Sequence, residues 1–388
     1  MKLMTRAGLL ALGASIAPVG VANADSIPSV IVTVENSAPS RGAFQTPFWV
    51  GIHDGTFDIY DRDAPLGAND TVAVPAVERL AEDGNTGPIS DAFALTQVLS
   101  PQTTIVGPSG PFAPGDYAST TLNVDPSIDQ YFSYASMLIP SNDAFVANGN
   151  PLAHKLFDDG GRFVGEDFAV AGVEVLDAGT EANDEVAGNT AFLNQGGPDI
   201  GVSEAGNVVI HPGLAAPGAL AFPDGVLNHP ALGLSDFTQP TYRAASFSFR
   251  YVDLGERQRY RASLSPDQEV TGAAVVSDAF GRAWATSVDG SLVRLRIFFS
   301  NLTGPLVAAH LHNAQAGANG PVVVDLGTEA SGRQLRAVID ASDVVGPLGA
   351  AENPALALIN ELAAGNIYIN LHTEANPGGE LRGQLELR

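Results

Sequence analysis

The chain has 388 residues, a formal charge of −24, 45% hydrophobic residues and no cysteine. Such a length exceeds a usual single core and predicts two domains. The acidity, with lysine only at positions 2 and 155, argues against nucleic acid and anionic membranes as partners. Without cysteine the chain has no disulfides and must be held by burial, hydrogen bonds and bound cations.

The first 24 residues read as an export leader. Lys2 and Arg6 form a positive start, Ala7 to Ala17 an apolar stretch too short to span a bilayer with ease, and Ala22-Asn23-Ala24 a small-x-small cleavage site. No later run approaches about 20 apolar residues, so no transmembrane anchor is expected. The expected location is exported: periplasmic, extracellular or cell-surface.

From there the periodicity is mostly that of strands. Val30–Val34, Phe48–Ile52 and Phe132–Ile139 are short, β-branched or aromatic. Pro75–Asp83 breaks the pattern, because Val77, Leu80 and Ala81 keep helical spacing and Pro75 suits a first turn. A turn or two of helix is expected near Ala153–Phe157. Residues 196–240, rich in Pro, Gly and Asn, read as long surface loops. Ala245–Arg250 and Leu292–Phe299 read as strands on either side of a polar junction at 254–259. Ala355–Ala364 is the surest helix, with Leu356, Ile359 and Leu362 in register and Gly365 as its cap. The expected fold is all-β, two antiparallel β-sandwiches joined near residue 255.

The first half carries Val32-Thr33-Val34-Glu35-Asn36, Thr46-Pro47-Phe48-Trp49-Val50-Gly51-Ile52-His53-Asp54-Gly55, Met137 to Phe145 and Asp177-Ala178-Gly179-Thr180-Glu181. In order and spacing these resemble the spondin N-terminal domain, over residues 27–252. The resemblance implies a C2-like sandwich that holds Ca2+ in its loops through Asp143, the carbonyl of Ile139 and Asp177, with Asp125 as the nearest candidate for a further acidic ligand. The chemistry is compatible: calcium takes six to eight hard oxygens from flexible loops, and Asp143, Asp177 and Glu181 offer them. Isolated aspartates beside Gly and Pro also make Asx turns, and that alternative stays open.

Near the C-terminus, Ala309-His310-Leu311-His312 runs into Gly317 to Val323, and Asn370-Leu371-His372-Thr373 into Asn376-Pro377-Gly378-Gly379-Glu380-Leu381-Arg382-Gly383. On extended chain His310 and His312 share one face, and Tyr368, Asn370 and His372 share another. Three histidines on two strands form either a small Zn2+ or Cu2+ site or a hydrogen-bonded corner. Asn370, Glu380 and Glu374 are available as supporting acceptors. These segments, with Tyr260 to Leu264, Gln268-Glu269-Val270 and Gly281-Arg282-Ala283, resemble the CHRD domain over residues 257–388. That resemblance implies an immunoglobulin-like sandwich in an extracellular setting, without established catalysis.

No Gly-x-Ser-x-Gly elbow occurs, and no carboxylate pair stands out in so acidic a chain. The expectation is therefore an exported, non-enzymatic, calcium-binding adhesion protein with a protein or glycan partner at the cell surface or in the matrix. The alternative is a zinc or copper protein, or a metalloenzyme, centred on His310, His312 and His372.

Overall fold

The computed structural model describes residues 26–388 apart from Asn69, 192–194 and 215–224. The leader expected at 1–24 lies outside the described residues. The first strands in chain order are β1 (Pro28–Asn36), β2 (Phe44–Gln45) and β3 (Phe48–His53). Two helices follow, α1 (Val74–Asp83) and α2 (Gly87–Thr96), then β4 (Gln102–Ile105), β5 (Tyr117–Asn123), β6 (Tyr131–Ile139), β7 (Ala144–Ala147) and β8 (His154–Lys155). Next come β9 (Phe168–Ala171), β10 (Leu176–Asp177), β11 (Val209–Ile210) and β12 (Arg243–Asp253).

These strands form two antiparallel sheets, β5-β1-β12-β9 and β11-β10-β7-β6-β3-β4, with β2 and β8 also paired to β6. Their facing surfaces share one core, to which Val30, Val32, Phe48, Phe132 and Phe247 contribute. The other face of the larger sheet is not left to water. There α1 and α2 bury Trp49, Phe57, Leu80 and Phe93 in a second core. Hence β3 is buried along its whole length and reads as a continuous apolar run rather than as an alternation. Gly51 permits this packing, because a Cβ there would lie 2.7 Å from the Phe93 ring. Helix α2 was not foreseen: its Gly-Pro start resembles a turn, yet proline fits the first helical turn and Ile89 and Phe93 are buried one turn apart.

Two expectations need correction. The helical turn near Ala153–Phe157 is strand β8, which pairs with β6, and His154 stacks on Phe168 with centroids 3.7 Å apart. Sheet pairing and that stack outweigh a weak local preference. The 196–240 stretch is less superficial than its composition suggests, since Val208, Val226, Leu232 and Phe237 are buried.

The second half begins at β13 (Arg259–Leu264) and continues with β14 (Phe280–Val288), β15 (Leu292–Ser300), β16 (Leu306–Asn313) and β17 (Val322–Asp325). The remaining elements are β18 (Gln334–Ile339), α3 (Gly346–Gly349), α4 (Pro354–Ala364), β19 (Ile367–Thr373), β20 (Leu381–Gln384) and β21 (Glu386–Leu387). Sheet β18-β15-β14-β13-β21 packs on sheet β17-β16-β19-β20, with Leu295, Ile297, Leu311 and Ile369 in the shared core. The architecture is all-β and antiparallel in both halves. Asn353 caps α4 by accepting from Leu356 N–H, and Gly365 ends it in the left-handed region at φ 78°. The halves touch where Thr121 Oγ1 donates to the Asn360 carbonyl at 2.8 Å and Asn366 Nδ2 to that of Ser119 at 2.9 Å. Among the described residues no helix is long and apolar enough to cross a membrane.

Candidate metal centres

Strands β16 and β19 place the three C-terminal histidines. Ala309, Leu311, Ile369 and Leu371 point inward and are essentially fully buried, which turns His310, His312, Asn370 and His372 outward on the same sheet. The antiparallel register sets His310 opposite Asn370, His312 opposite Tyr368 and Ala308 opposite His372. His310 and His372 are thus diagonal neighbours, with Nδ1 of the first 3.3 Å from Nε2 of the second. One ring nitrogen from each of His310, His312 and His372 lies within 4.8 Å of the other two. Tetrahedral ligands about 2.0–2.1 Å from zinc stand roughly 3.3 Å apart, so one edge of the triangle already has a ligand spacing.

Two loop carbonyls orient the rings. His312 Nδ1 lies 3.0 Å from the Gly320 carbonyl, and His372 Nδ1 lies 3.0 Å from that of Pro377. A carbonyl only accepts, so each Nδ1 carries the proton and each Nε2 keeps its lone pair. His312 Nε2 is buried without a hydrogen-bond partner. Burial, chiefly, holds both His312 and His372 below the ordinary histidine range, and their neighbouring histidines add to it. They are neutral at pH 7, the form that binds a metal. The ring of His312 stacks on Tyr368 at 4.8 Å. Arg382 sits over the same tyrosine, 3.6 Å from its centroid, and ties down the loop by donating to Asn319 Oδ1 and to the Ala318 carbonyl.

The acidic candidates lie in the first half. Asp143 is wholly buried, just beyond the turn that follows β6. Its Oδ2 accepts from Thr180 N–H at 2.8 Å and Glu181 N–H at 3.1 Å, while Oδ1 is buried without a partner. Asp177 sits beside it, paired across β10 and β7 with Ala144. Burial and then the charge of Asp177 push Asp143 up to about 6. Glu181 is buried with Oε2 unpartnered, and burial followed by the charge of Glu82 lifts it to about 7. Ile139 closes β6 four residues before Asp143. Asp177 is engaged by Gly179 N–H and Asn183 Nδ2; Asn183 Oδ1 in turn pairs with His211 at 2.8 Å.

Asp125 does not join this group. It precedes β6, so the whole length of that strand separates it from Asp143. There it makes an Asx turn, accepting from Ser127 N–H and Oγ. A carboxylate grouping that closes within 4.8 Å is instead Glu78, Glu82 and Asp199, with Arg79 bridging Glu82 and Asp199 at 3.4 and 3.3 Å.

Against known families, the second half is decisive. Residues 260–385 match the CHRD domain. The match does not extend into the first half, and no curated protein and no solved structure matches the chain.

Within the CHRD domain the supporting contacts differ from those expected. Glu380 faces away from the histidines and accepts from Ser277, Thr303 and Thr373 hydroxyls. Asn370 turns to Glu269 at 3.3 Å, and Glu374 is exposed; the carbonyls of Gly320 and Pro377 hold the rings instead. Asp325 was missed. It stands directly across from His310 in the β16–β17 pair, so it shares the histidine face, a placement that only strand pairing reveals.

Proposed function

We propose that the protein is an exported, non-enzymatic binding protein whose CHRD domain carries a transition-metal centre built from His310, His312 and His372. The observation that carries the reading is the buried, unpartnered Nε2 of His312, on a ring grouped with two more imidazoles and costly to leave unmatched. Borderline-soft ions suit an all-imidazole set: Cu2+, which tops the divalent affinity order, and Zn2+. When bound, the ion would cross-link β16 to β19 and leave positions for a donor from a partner or for Asp325, which stands opposite His310. The test is metal content after equilibration with equimolar Zn2+, Cu2+ and Ca2+. One equivalent of zinc or copper, absent from a His310→Ala/His312→Ala variant, is expected; retention by that variant would sink the reading.

A second reading, compatible with the first, is calcium at Asp143, Asp177 and Glu181. Its support is the buried Asp143 Oδ1 without a partner, together with the resemblance of the first half to the spondin N-terminal domain. Bound calcium would stiffen the loop edge of the first sandwich as a docking surface for a protein or glycan outside the cell. Calcium titration of the wild type against Asp143→Asn tests it, and equal affinities would remove it.

A further inference from the structure

The chain carries 19 basic residues against 43 acidic ones, yet seven of those basic residues gather on one face of the CHRD domain. Residues 1–253 hold nine basic and twenty-nine acidic side chains, whereas residues 254–388 hold ten arginines and fourteen carboxylates. Strand alternation on β13, β14, β15 and β18 buries one set of side chains and exposes the other. Across the strands the exposed set forms rows. Arg261 faces Trp284, Trp284 faces Arg296, and Arg296 faces Arg336. One row over, Arg259, Thr286, Arg294 and Val338 align, and on the other side Ser263, Arg282, Phe298 and Gln334. Trp284 is 40% and Phe298 43% exposed, their rings edge-to-face at 5.7 Å. Arg257 lies at the margin, where it helps line a hollow of about 430 Å3 with Trp284, Arg294 and Arg296.

Among the described residues no ion pair involves any of these seven arginines. The nearest acid in register is Glu386, opposite Arg261 on β21, and it pairs with Arg388. Like charges directly opposite each other, as at Arg296 and Arg336, destabilise a sheet. Exposed aromatics between them add an unburied apolar surface. Both costs are relieved by one kind of ligand: an anion with apolar faces.

We infer that this face binds an acidic polysaccharide in which charged and neutral sugars alternate. Neighbouring strands stand about 4.8 Å apart, so the row Arg261–Trp284–Arg296 places cation, aromatic ring and cation in a straight line at a spacing on the order of one sugar ring. Guanidinium forks take a carboxylate or sulfate bidentately, and the indole between them stacks against the apolar face of the neutral sugar. A line of alternating sites suits a linear polymer better than a folded acidic domain. Polyphosphates are disfavoured because a polymer charged at every repeat offers no neutral unit to the indole that separates the guanidiniums. The face belongs to the sheet opposite the histidines, so the inference goes beyond the metal reading and rests on nothing in it.

The test uses the full chain in EDTA at low ionic strength, titrated with hyaluronate oligosaccharides, neutral dextran and a poly-dT oligonucleotide. Tryptophan fluorescence reports on the face, because Trp49 is wholly buried and Trp284 is not. Hyaluronate should quench it saturably while dextran does not. Arg261→Gln/Arg296→Gln, read by fluorescence, and Trp284→Ala, read by titration calorimetry because it lacks the reporter, should each weaken binding tenfold or more, and Arg162→Gln, outside the face, should leave it unchanged. The proposal is overturned if hyaluronate does not bind or if Arg162→Gln weakens it as much. It is equally overturned if poly-dT binds more tightly, or if the arginine variant instead abolishes self-association, which would make a second copy the occupant. Because chelator is present throughout, failure here leaves the histidine site untouched.

Discussion

His310 Nδ1 and His372 Nε2 lie 3.3 Å apart on diagonal positions of neighbouring strands. The Pro377 carbonyl accepts from the one N–H of neutral His372, at Nδ1, so its Nε2 is an acceptor and His310 must be the donor in the metal-free protein. A metal ion bound there would replace that shared proton with two stronger bonds. Since the strands are far apart in sequence, the exchange would clamp the sheet.

Metal should therefore stabilise the protein by an amount set by mass action, about 2.7 kcal/mol at a hundredfold excess over Kd. Thermal melts with and without Zn2+ are expected to differ in the wild type and to coincide in His312→Ala. Coincident wild-type melts would contradict the clamp.

Acid should undo it. His312 and His372 are held below the usual histidine value of 6.5 mainly by burial. The unfolded chain then binds protons that the native rings refuse, so stability rises with pH and is lost as pH falls below 6.5. Metal affinity falls in the same direction through proton competition. In His312→Ala and His372→Ala this part of the slope should flatten.

The first half carries the opposite slope. Burial raises Asp143 from 3.8 to about 6, so the native state binds more protons than the unfolded one. Its stabilising protonation is complete below the unfolded value of 3.8 and is lost as pH rises through about 6, a penalty on the order of 3 kcal/mol when full. In chelator this contribution should make the native state less stable from pH 5 to pH 8. Asp143→Asn should remove that dependence, and calcium should suppress it in the wild type; a slope unaltered by both would count against the second reading.

Gly320 supplies the carbonyl that orients His312. A Cβ at this position would overlap the Asn313 carbonyl and lie 2.9 Å from Ala314 Cβ. Gly320→Ala should shift the loop and lower metal affinity by about 10–100-fold, the usual effect of disturbing an outer-shell partner. Competition titration against a chromophoric chelator measures it. An unchanged affinity would mean that the Gly320 carbonyl does not set the ring.

Much of the fold was legible because one-dimensional periodicity reports one-sided burial. Phe48–Ile52, Leu292–Phe299 and Ala355–Ala364 fall within β3, β15 and α4. Helix α2 escaped because its identity depends on burying Phe93 against Gly51, and strand β8 because its pairing partner is distant. At the sites, the outward direction of His310, His312 and His372 followed from alternation alone. That Asp125 is remote from Asp143, that Asp325 faces His310, and that Gly320 and Pro377 hold the rings did not.

The sequence by itself determined the residue chemistry and the alternating faces: an acidic chain without cysteine, its strands, a histidine pair two residues apart, and the CHRD segments. Only tertiary structure decided which faces meet. Strand register, set by packing between residues far apart in the chain, brought His372 beside His310 and aligned Arg261, Trp284, Arg296 and Arg336, which are scattered over 76 positions. Alternation is a local property of one strand, whereas a row across strands exists only once the sheet is assembled.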